Sequence, residues 1–169
     1  MSKSQKTALA SAIVFFSLWI IACGLPAYIP DDISLSGNVI HGFTSFMLGP
    51  FLLYNEISEF INGHSSSLGG IAWLFGNSGA FAAAGLAITA LLERKQSTIL
   101  YILIAGVVFS AIAFLTSFFC LTVNEIPINE ADSMQAAHPG PAAYLWIFAI
   151  FSQLVMLTVA LIQKKSQPL

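Results

Sequence analysis

The residues of this sequence that could do chemistry are three histidines, eight carboxylates and two cysteines. Imidazole and carboxylate groups together are the usual ligands of zinc, copper and iron. The histidines nevertheless lie far apart and form no His-x-x-x-His or Glu-x-x-His pair; they are His41, His64 and His138. Walker-type glycine loops, Gly-x-Ser-x-Gly and His-Glu-x-x-His are also missing from the sequence. The sequence therefore predicts no metal site and no cofactor.

One catalytic alternative stays open at the level of sequence. His41 or His138, acting with Glu56 or Glu130, could supply imidazole and carboxylate partners for acid–base catalysis in an outward-facing membrane enzyme. Histidines within hydrogen-bond distance of these carboxylates would be its structural signature.

Cys23 and Cys120 allow three interpretations, because both lie near the ends of apolar segments. As free thiols, they would behave as small apolar side chains. As a disulfide on the oxidising side of a membrane, they would need alpha carbons within about 7 Å of each other. Thirdly, the run Ile-Ile-Ala-Cys-Gly at residues 20–24 resembles a bacterial lipoprotein signal, whose cleavage before Cys23 would leave a lipid-anchored protein with three spans.

The elements that must position these residues follow from composition. The chain is 57% hydrophobic and 8% charged, far from the roughly 25% charged residues of soluble domains. Four uncharged stretches, each long enough to cross about 30 Å of hydrocarbon as a helix, cover residues 7–27, 71–92, 98–122 and 142–162. We therefore expect an all-α membrane protein with one transmembrane domain of four helices.

A further helical segment is expected at residues 39–61, between the first two spans. Its central apolar part has twelve residues, which cover about 18 Å at 1.5 Å per residue and are too short to cross. Apolar residues recur at helical spacing, with Glu56 and Glu59 opposite them and facing water; the apolar ones are Val39, Phe43, Phe46, Met47, Tyr54 and Ile57. Gly49 and Pro50 predict a break into two short helices, with Pro50 opening the second. This segment is expected to lie in the outer interface or to be re-entrant.

Basic residues set the orientation, because Lys and Arg near span ends are retained on the cytoplasmic side. All six fall on one side of the predicted topology; they are Lys3, Lys6, Arg94, Lys95, Lys164 and Lys165. Seven of the eight acids and all three histidines fall on the other side. The pattern predicts a membrane protein with both termini cytoplasmic. Six dispersed basic residues and a net charge of −2 exclude nucleic acid as a partner.

Small residues predict how the spans pack, since helices in lipid associate through close backbone approach. The second span carries Gly76, Ala80 and Ala84 at intervals of four residues, and the third carries Gly106 and Ser110 at the same interval. These two spans are expected to contact each other closely through these residues.

Two strongly polar side chains, Asn77 and Gln153, lie inside predicted spans. Their first interpretation is hydrogen bonding that holds helices together. The alternative is a small transporter or an oligomeric pore, in which they would line a path together with Ser110 and Thr116.

Three segments carry a resemblance to a known group. They are Trp-Leu-Phe-Gly-Asn at residues 73–77, Ile-Pro at 126–127 followed by Glu130, and Gly-Pro-Ala-Ala-Tyr-Leu-Trp at 140–146. Over about its last hundred residues the chain resembles a set of uncharacterised bacterial four-span membrane proteins of unknown function. It departs from them at Ser78, where they often have Pro, and at Ala142, where they have Gly. The resemblance implies the same topology and a bacterial inner membrane, with no activity to transfer.

The function expected from these patterns is that of a non-enzymatic accessory or assembly component of the membrane. Its partners would be the lipid bilayer and other membrane proteins or a second copy of the chain. The small transporter or pore and the outward-facing enzyme are the two alternatives.

Overall fold

A computed structural model describes residues 1–31, 39–62, 68–127 and 134–166 of the protein, and most of these residues are helical. Within them, four helices are long and apolar enough to cross a membrane, and a fifth lies between the first two. In chain order the helices are α1 (Lys3–Gly24), α2 (Gly42–Ile61), α3 (Gly69–Leu92), α4 (Gln96–Ser117, extended by a 3-10 turn at Phe118–Thr122) and α5 (Pro141–Lys165).

The four predicted apolar helices are confirmed as helices, with small shifts at their ends. α1 ends at Gly24, before the expected end at Ala27, and Leu25 is already extended. Pro26 explains this end, because proline disfavours helical conformation in the residue before it. α5 begins at Pro141, and proline suits the first position of a helix since the N–H it lacks would have no partner there.

The expectation of an all-α fold is wrong at one end of the bundle, where four short strands form a sheet. The strands are β1 (Pro26–Pro30), β2 (Ile40–His41), β3 (Glu125–Pro127) and β4 (Met134–Pro139), in the antiparallel order β2-β1-β4-β3. In the central pair, Tyr28 lies opposite Pro139, and Ile29 lies opposite His138. These strands are short, three of the four contain proline, and they show no clear alternation of apolar and polar residues, so periodicity does not predict them.

We call this end of the bundle the sheet end, and the end that carries Lys3, Arg94 and Lys165 the basic end. α1 and α4 run from the basic end to the sheet end, and α3 and α5 run back. Backbone hydrogen bonds join the sheet to the helices, from Gly42 N to the Leu25 carbonyl at 2.8 Å and from Gly140 N to the Ala27 carbonyl at 2.7 Å.

The predicted break at Gly49 and Pro50 is also wrong, because α2 is one helix with Pro50 inside it. Proline has no N–H, so the carbonyl four residues earlier, that of Phe46, loses its usual helical donor. The indole of Trp73 in α3 replaces that donor, and its Nε1 donates to the Phe46 carbonyl at 2.7 Å. A side chain at position 49 would overlap the same indole, so Gly49 permits the approach. A contact between helices thus compensates for the proline.

Small residues make up most of the buried positions of the bundle, and many large apolar side chains point outward. Fully buried positions include Ala8, Ala80, Ala83, Ala84, Ala149 and Ala160. By contrast, the exposed fraction is 56% for Ile13, 69% for Leu115 and 55% for Phe148. This distribution is the reverse of that in water-soluble proteins, where large apolar residues are mostly interior.

α3 and α4 pack closely, although not through all of the predicted residues. An added Cβ at Gly79 of α3 would lie 3.1 Å from both the Ala113 Cβ and the Phe109 carbonyl oxygen of α4. Gly76, expected at this contact, lies near α4, since its added Cβ would stand 3.7 Å from the Ser117 Cα, but it also lies against α5, as does Ala80. A Cβ at Gly76 would lie 2.7 Å from Trp146, and the Ala80 carbonyl accepts a hydrogen bond from Gln153.

Candidate functional site

A cavity of about 70 Å³ lies at the sheet end, where all five helices and β1 contribute to its wall. Its volume exceeds the roughly 10–15 Å³ that holds one water molecule. All three tryptophans of the chain line it, namely Trp19 of α1, Trp73 of α3 and Trp146 of α5. Tyr28 of β1 and Phe46 of α2 add two further rings. The cavity therefore has a predominantly aromatic wall.

The α3 side of this wall is formed by a π-helical turn. Residues Ala72–Asn77 adopt this wider turn before the regular helix resumes at Ser78. Such turns are rare and occur frequently at functional sites. Trp73 and Asn77 both line the cavity from this turn. Gly76, between them, leaves room for the Trp146 indole, whose Cη2 and Cζ2 atoms lie 2.7 and 2.9 Å from where a Cβ would stand.

Asn77 and Trp146 form a hydrogen bond across the cavity wall. The indole Nε1 of Trp146 donates to Oδ1 of Asn77 at 3.1 Å. An indole N–H can only donate, so the amide oxygen must face it, and this fixes which way the Asn77 amide is turned. The amide nitrogen of Asn77 is left without an acceptor among the residues that the structure describes.

Two other polar groups of the wall already have backbone partners. The Trp73 indole donates to the Phe46 carbonyl, and the Tyr28 hydroxyl donates to the Cys120 carbonyl at 3.1 Å. Burial raises the pKa of Tyr28, and the nearby Cys120 and Glu56 raise it further. The phenol therefore remains protonated at neutral pH and acts as a fixed donor rather than as a base.

Cys23 and Cys120 line the same cavity, and both are free thiols in the structure. The two cysteines, both near the ends of apolar segments, thus share one environment. Lipoprotein processing before Cys23 would remove α1, whose Ala8, Ala12 and Phe15 are at most 2% exposed inside the bundle.

Glu56 does not face water as predicted, since it is 8% exposed. Its carboxylate oxygens accept hydrogen bonds from the backbone N–H groups of Gly70 and Ile71, at 2.5 and 3.2 Å. These groups belong to the first turn of α3, where a helix presents unpaired N–H donors and positive partial charge. Glu56, a residue of α2, therefore caps the N-terminus of α3. This role cannot be inferred from its position on its own helix, opposite the apolar residues.

Phe46, expected to face lipid, also turns inward. Its ring centroid lies 5.5 Å from that of Trp19, 6.2 Å from that of Trp73 and 6.2 Å from that of Phe81. Centroid separations of this size are favourable for aromatic pairs. The cluster fixes α2 against α1 and α3 beside the cavity.

The histidines are not assembled into a catalytic site by the described part of the chain. His138 Nδ1 lies 2.9 Å from an oxygen of Asp31, but both side chains are 58% exposed. The pair joins β1 to β4 on the surface, where an ion pair contributes at most about 1 kcal/mol. His41 is exposed at the start of α2, whereas His64 and Glu130 lie outside the described residues. No group of three His, Cys, Asp or Glu side chains converges in the described ranges.

Two of the other predicted polar residues, Gln153 and Ser110, lie in the middle of the bundle and not at the cavity. The Gln153 amide donates to the Ala80 carbonyl at 3.2 Å, while Gln153 Oε1 and Ser110 Oγ have no hydrogen-bond partner among the described residues. Both side chains are fully buried. Thr116 lies on the outside of α4 and donates to the Ile112 carbonyl of its own helix. These residues form no continuous polar path, and Asn77 alone of them lines the cavity.

Comparison with protein-family models, with curated proteins and with solved structures finds no match for this chain. Its function is therefore argued from the cavity and from the surfaces around it. Two of the segments that carry the sequence resemblance supply Trp73, Asn77 and Trp146 to that cavity.

Trp19, Tyr28 and Phe46 were not predicted as site residues. The signal that could have identified the site is the placement of all three tryptophans near the same ends of their spans.

Proposed function

We propose that this chain is a multi-pass protein of a bacterial inner membrane, with both termini in the cytoplasm. It acts there as a non-enzymatic accessory or assembly component, through its outer face. The observation that carries this proposal is a closed bundle whose specialised features, the sheet, the helix α2 that caps α3 and the aromatic cavity, all lie at one end.

The outward-pointing apolar side chains support the membrane location. In water, exposed apolar area costs about 25 cal/mol per Å², and contiguous apolar surface on a soluble monomer marks a contact site. Here such side chains occur along all four spans, for example Ile13, Ile88, Leu115 and Phe148, each more than 40% exposed. A bilayer removes this cost. Small buried residues then provide the close helix contacts that membrane bundles use.

An apolar face on α2 supports a contact with the outer leaflet. Phe43, Met47, Tyr54, Ile57 and Ile61 are each more than 50% exposed, and their intervals of four, seven, three and four residues place them on one helix face. α2 is attached to the sheet end, opposite the basic residues that favour the cytoplasm. We infer that this face lies in the outer interface.

The closed interior argues against conduction through a single copy of the chain. At the level of Gln153, the bundle is filled by Phe15, Ile150 and Leu157, all fully buried. A hydrated path needs polar groups lining a continuous cavity. The absence of such a path within the described residues favours the accessory role over the transporter.

Orientation is tested by cysteine labelling in a background lacking Cys23 and Cys120. Asn62→Cys at the end of α2 and Ser166→Cys after α5 both replace exposed residues. In intact cells, a membrane-impermeant maleimide should label Asn62→Cys and not Ser166→Cys, and permeabilised membranes should label both. Labelling of Ser166→Cys in intact cells would show that the orientation is reversed.

The accessory role is tested by photocrosslinking in cells. The photoreactive residue p-benzoylphenylalanine is placed at Tyr54 on α2 or at Tyr101 on α4, two tyrosines that are each 70% exposed. A partner at the outer face should give a discrete protein adduct from position 54, and position 101, near the basic end, should give none. An adduct from position 101 alone would contradict the proposal, as would protein-dependent release of trapped potassium from proteoliposomes.

A further inference from the structure

We propose that the cavity at the sheet end binds the carbonyl-bearing end of an uncharged membrane amphiphile, and that Asn77 recognises the carbonyl oxygen. This inference rests on the membrane location proposed above and is independent of the accessory role.

The wall of the cavity selects against charge. None of the described residues that line it is Asp, Glu, Lys, Arg or His. A charged group entering this partly enclosed, apolar site would lose hydration without gaining a counter-charge, which is strongly unfavourable. The indole faces of Trp19, Trp73 and Trp146 offer apolar contact area instead. The ligand group is therefore uncharged and largely apolar.

One hydrogen-bond donor of the wall has no acceptor, and this donor determines which polar group the ligand needs. The Trp73, Trp146 and Tyr28 donors already have acceptors. The amide nitrogen of Asn77 has none among the described residues, although Asn77 is only 9% exposed. A donor that faces a largely apolar cavity without a protein acceptor is unfavourable, and a carbonyl oxygen would satisfy it. Ser45 adds a hydroxyl to the same wall.

Position and size favour a membrane amphiphile over a soluble ligand. The cavity lies where the apolar spans meet the strands, which corresponds to the boundary between hydrocarbon and the polar interface of a bilayer. Ester carbonyls of lipids lie at this boundary. A volume of about 70 Å³ accommodates one end of such a molecule, and the rest would remain in the leaflet.

The test uses the three tryptophans as reporters, because all of them line the cavity. The full-length protein is reconstituted in nanodiscs of ether-linked phosphatidylcholine, which has no ester carbonyls. It is titrated with dioctanoylglycerol and, separately, with the diether dioctylglycerol, which has the same chain length and headgroup but lacks carbonyls. We expect a saturable change in emission, reached at about fivefold lower concentration with dioctanoylglycerol, as one added hydrogen bond to neutral groups predicts.

A set of variants assigns the preference to Asn77. Asn77→Leu removes the amide donor but also leaves the Trp146 indole N–H without its acceptor in the same wall. The double variant Asn77→Leu/Trp146→Phe removes both donors, so the two glycerides should become equivalent, whereas Trp146→Phe alone should keep the preference. Gln153→Leu removes a carboxamide from the closed core outside the cavity and should also keep the fivefold preference. Equal responses of the unaltered protein to both glycerides would overturn the proposal whether or not any variant folds. So would a preference that survives in the double variant, or saturation by the soluble ketone acetophenone without any response to dioctanoylglycerol. The labelling test of orientation has a separate readout, so the two proposals can fail independently.

Discussion

Replacing Glu56 with alanine should lower the free energy of unfolding by about 3 kcal/mol, because hydrogen bonds to a charged group are worth about 1.5–3 kcal/mol each. The carboxylate accepts two such bonds from the first turn of α3, and it is one of the points at which α2 holds that helix. At about 2–4 °C per kcal/mol for a chain of this size, the midpoint of thermal unfolding in detergent should fall by about 6–12 °C. Glu56→Gln, which keeps an acceptor but loses the charge, should show an intermediate loss.

The chain contains a matched control for this substitution. Glu93 accepts hydrogen bonds from the backbone N–H groups of Arg94 and Lys95 at 2.8 Å, next to the start of α4, but these bonds are exposed to solvent. Glu93→Ala should therefore cost at most about 1 kcal/mol. Equal losses for the two alanine variants would show that the burial of Glu56 does not matter.

Gly76→Leu should be the second strongly destabilising change, since it forces a side chain into the space of the Trp146 indole. A Cβ at this position would lie 2.7 Å from the ring, closer than packed carbon atoms approach. Overpacking of a filled interior costs about 1–3 kcal/mol, and displacement of the indole also breaks its bond to Asn77. Thermal unfolding should shift down by about 2–12 °C, and tryptophan emission should move to longer wavelength as the ring becomes more exposed.

Gly85→Leu provides the comparison within the same helix. Gly85 is exposed, and no atom lies within 4 Å of where its Cβ would stand. Leucine also has a higher helix propensity than glycine, so this variant should keep or raise the unfolding midpoint. If Gly85→Leu were as unstable as Gly76→Leu, the loss would reflect leucine in this helix and not a clash with Trp146.

The sequence could predict the four apolar helices because the constraint that produces them is local. Every backbone group inside hydrocarbon must be satisfied within its own segment, so length and apolarity define each candidate span. Neighbouring elements then shift its ends by only a few residues, as Pro26 does at the end of α1.

The sheet, the continuous helix α2 and the cap at Glu56 could not be predicted in this way, because each depends on a partner distant in sequence. β1 pairs with β4, more than 100 residues away. Pro50 would break an isolated helix, and only Trp73 supplies the missing donor. Glu56 lies opposite the apolar residues of its own helix, a position at which a side chain is normally exposed to water. In this fold the N-terminus of α3 occupies that side.

The cavity was not predicted from the sequence, although some of its residues were named there. Asn77 was singled out as a polar residue within a span, but its expected role was to hold helices together. The hydrogen bond to Trp146 fits that expectation. The amide nitrogen on its other side, which faces the cavity, depends on a π-helical turn that has no recognised sequence signature.

The pairing of β1 with β4 also determines when the sheet end can close during synthesis. β1 directly follows the first span and β4 directly precedes the last one, so the backbone groups on one edge of β1 have no partner strand until residue 139 has been made. The first and last spans therefore become linked in a single late event. Until then, the aromatic cavity lacks its α5 wall, which includes Trp146. The complete site therefore forms only after α5 has been synthesised.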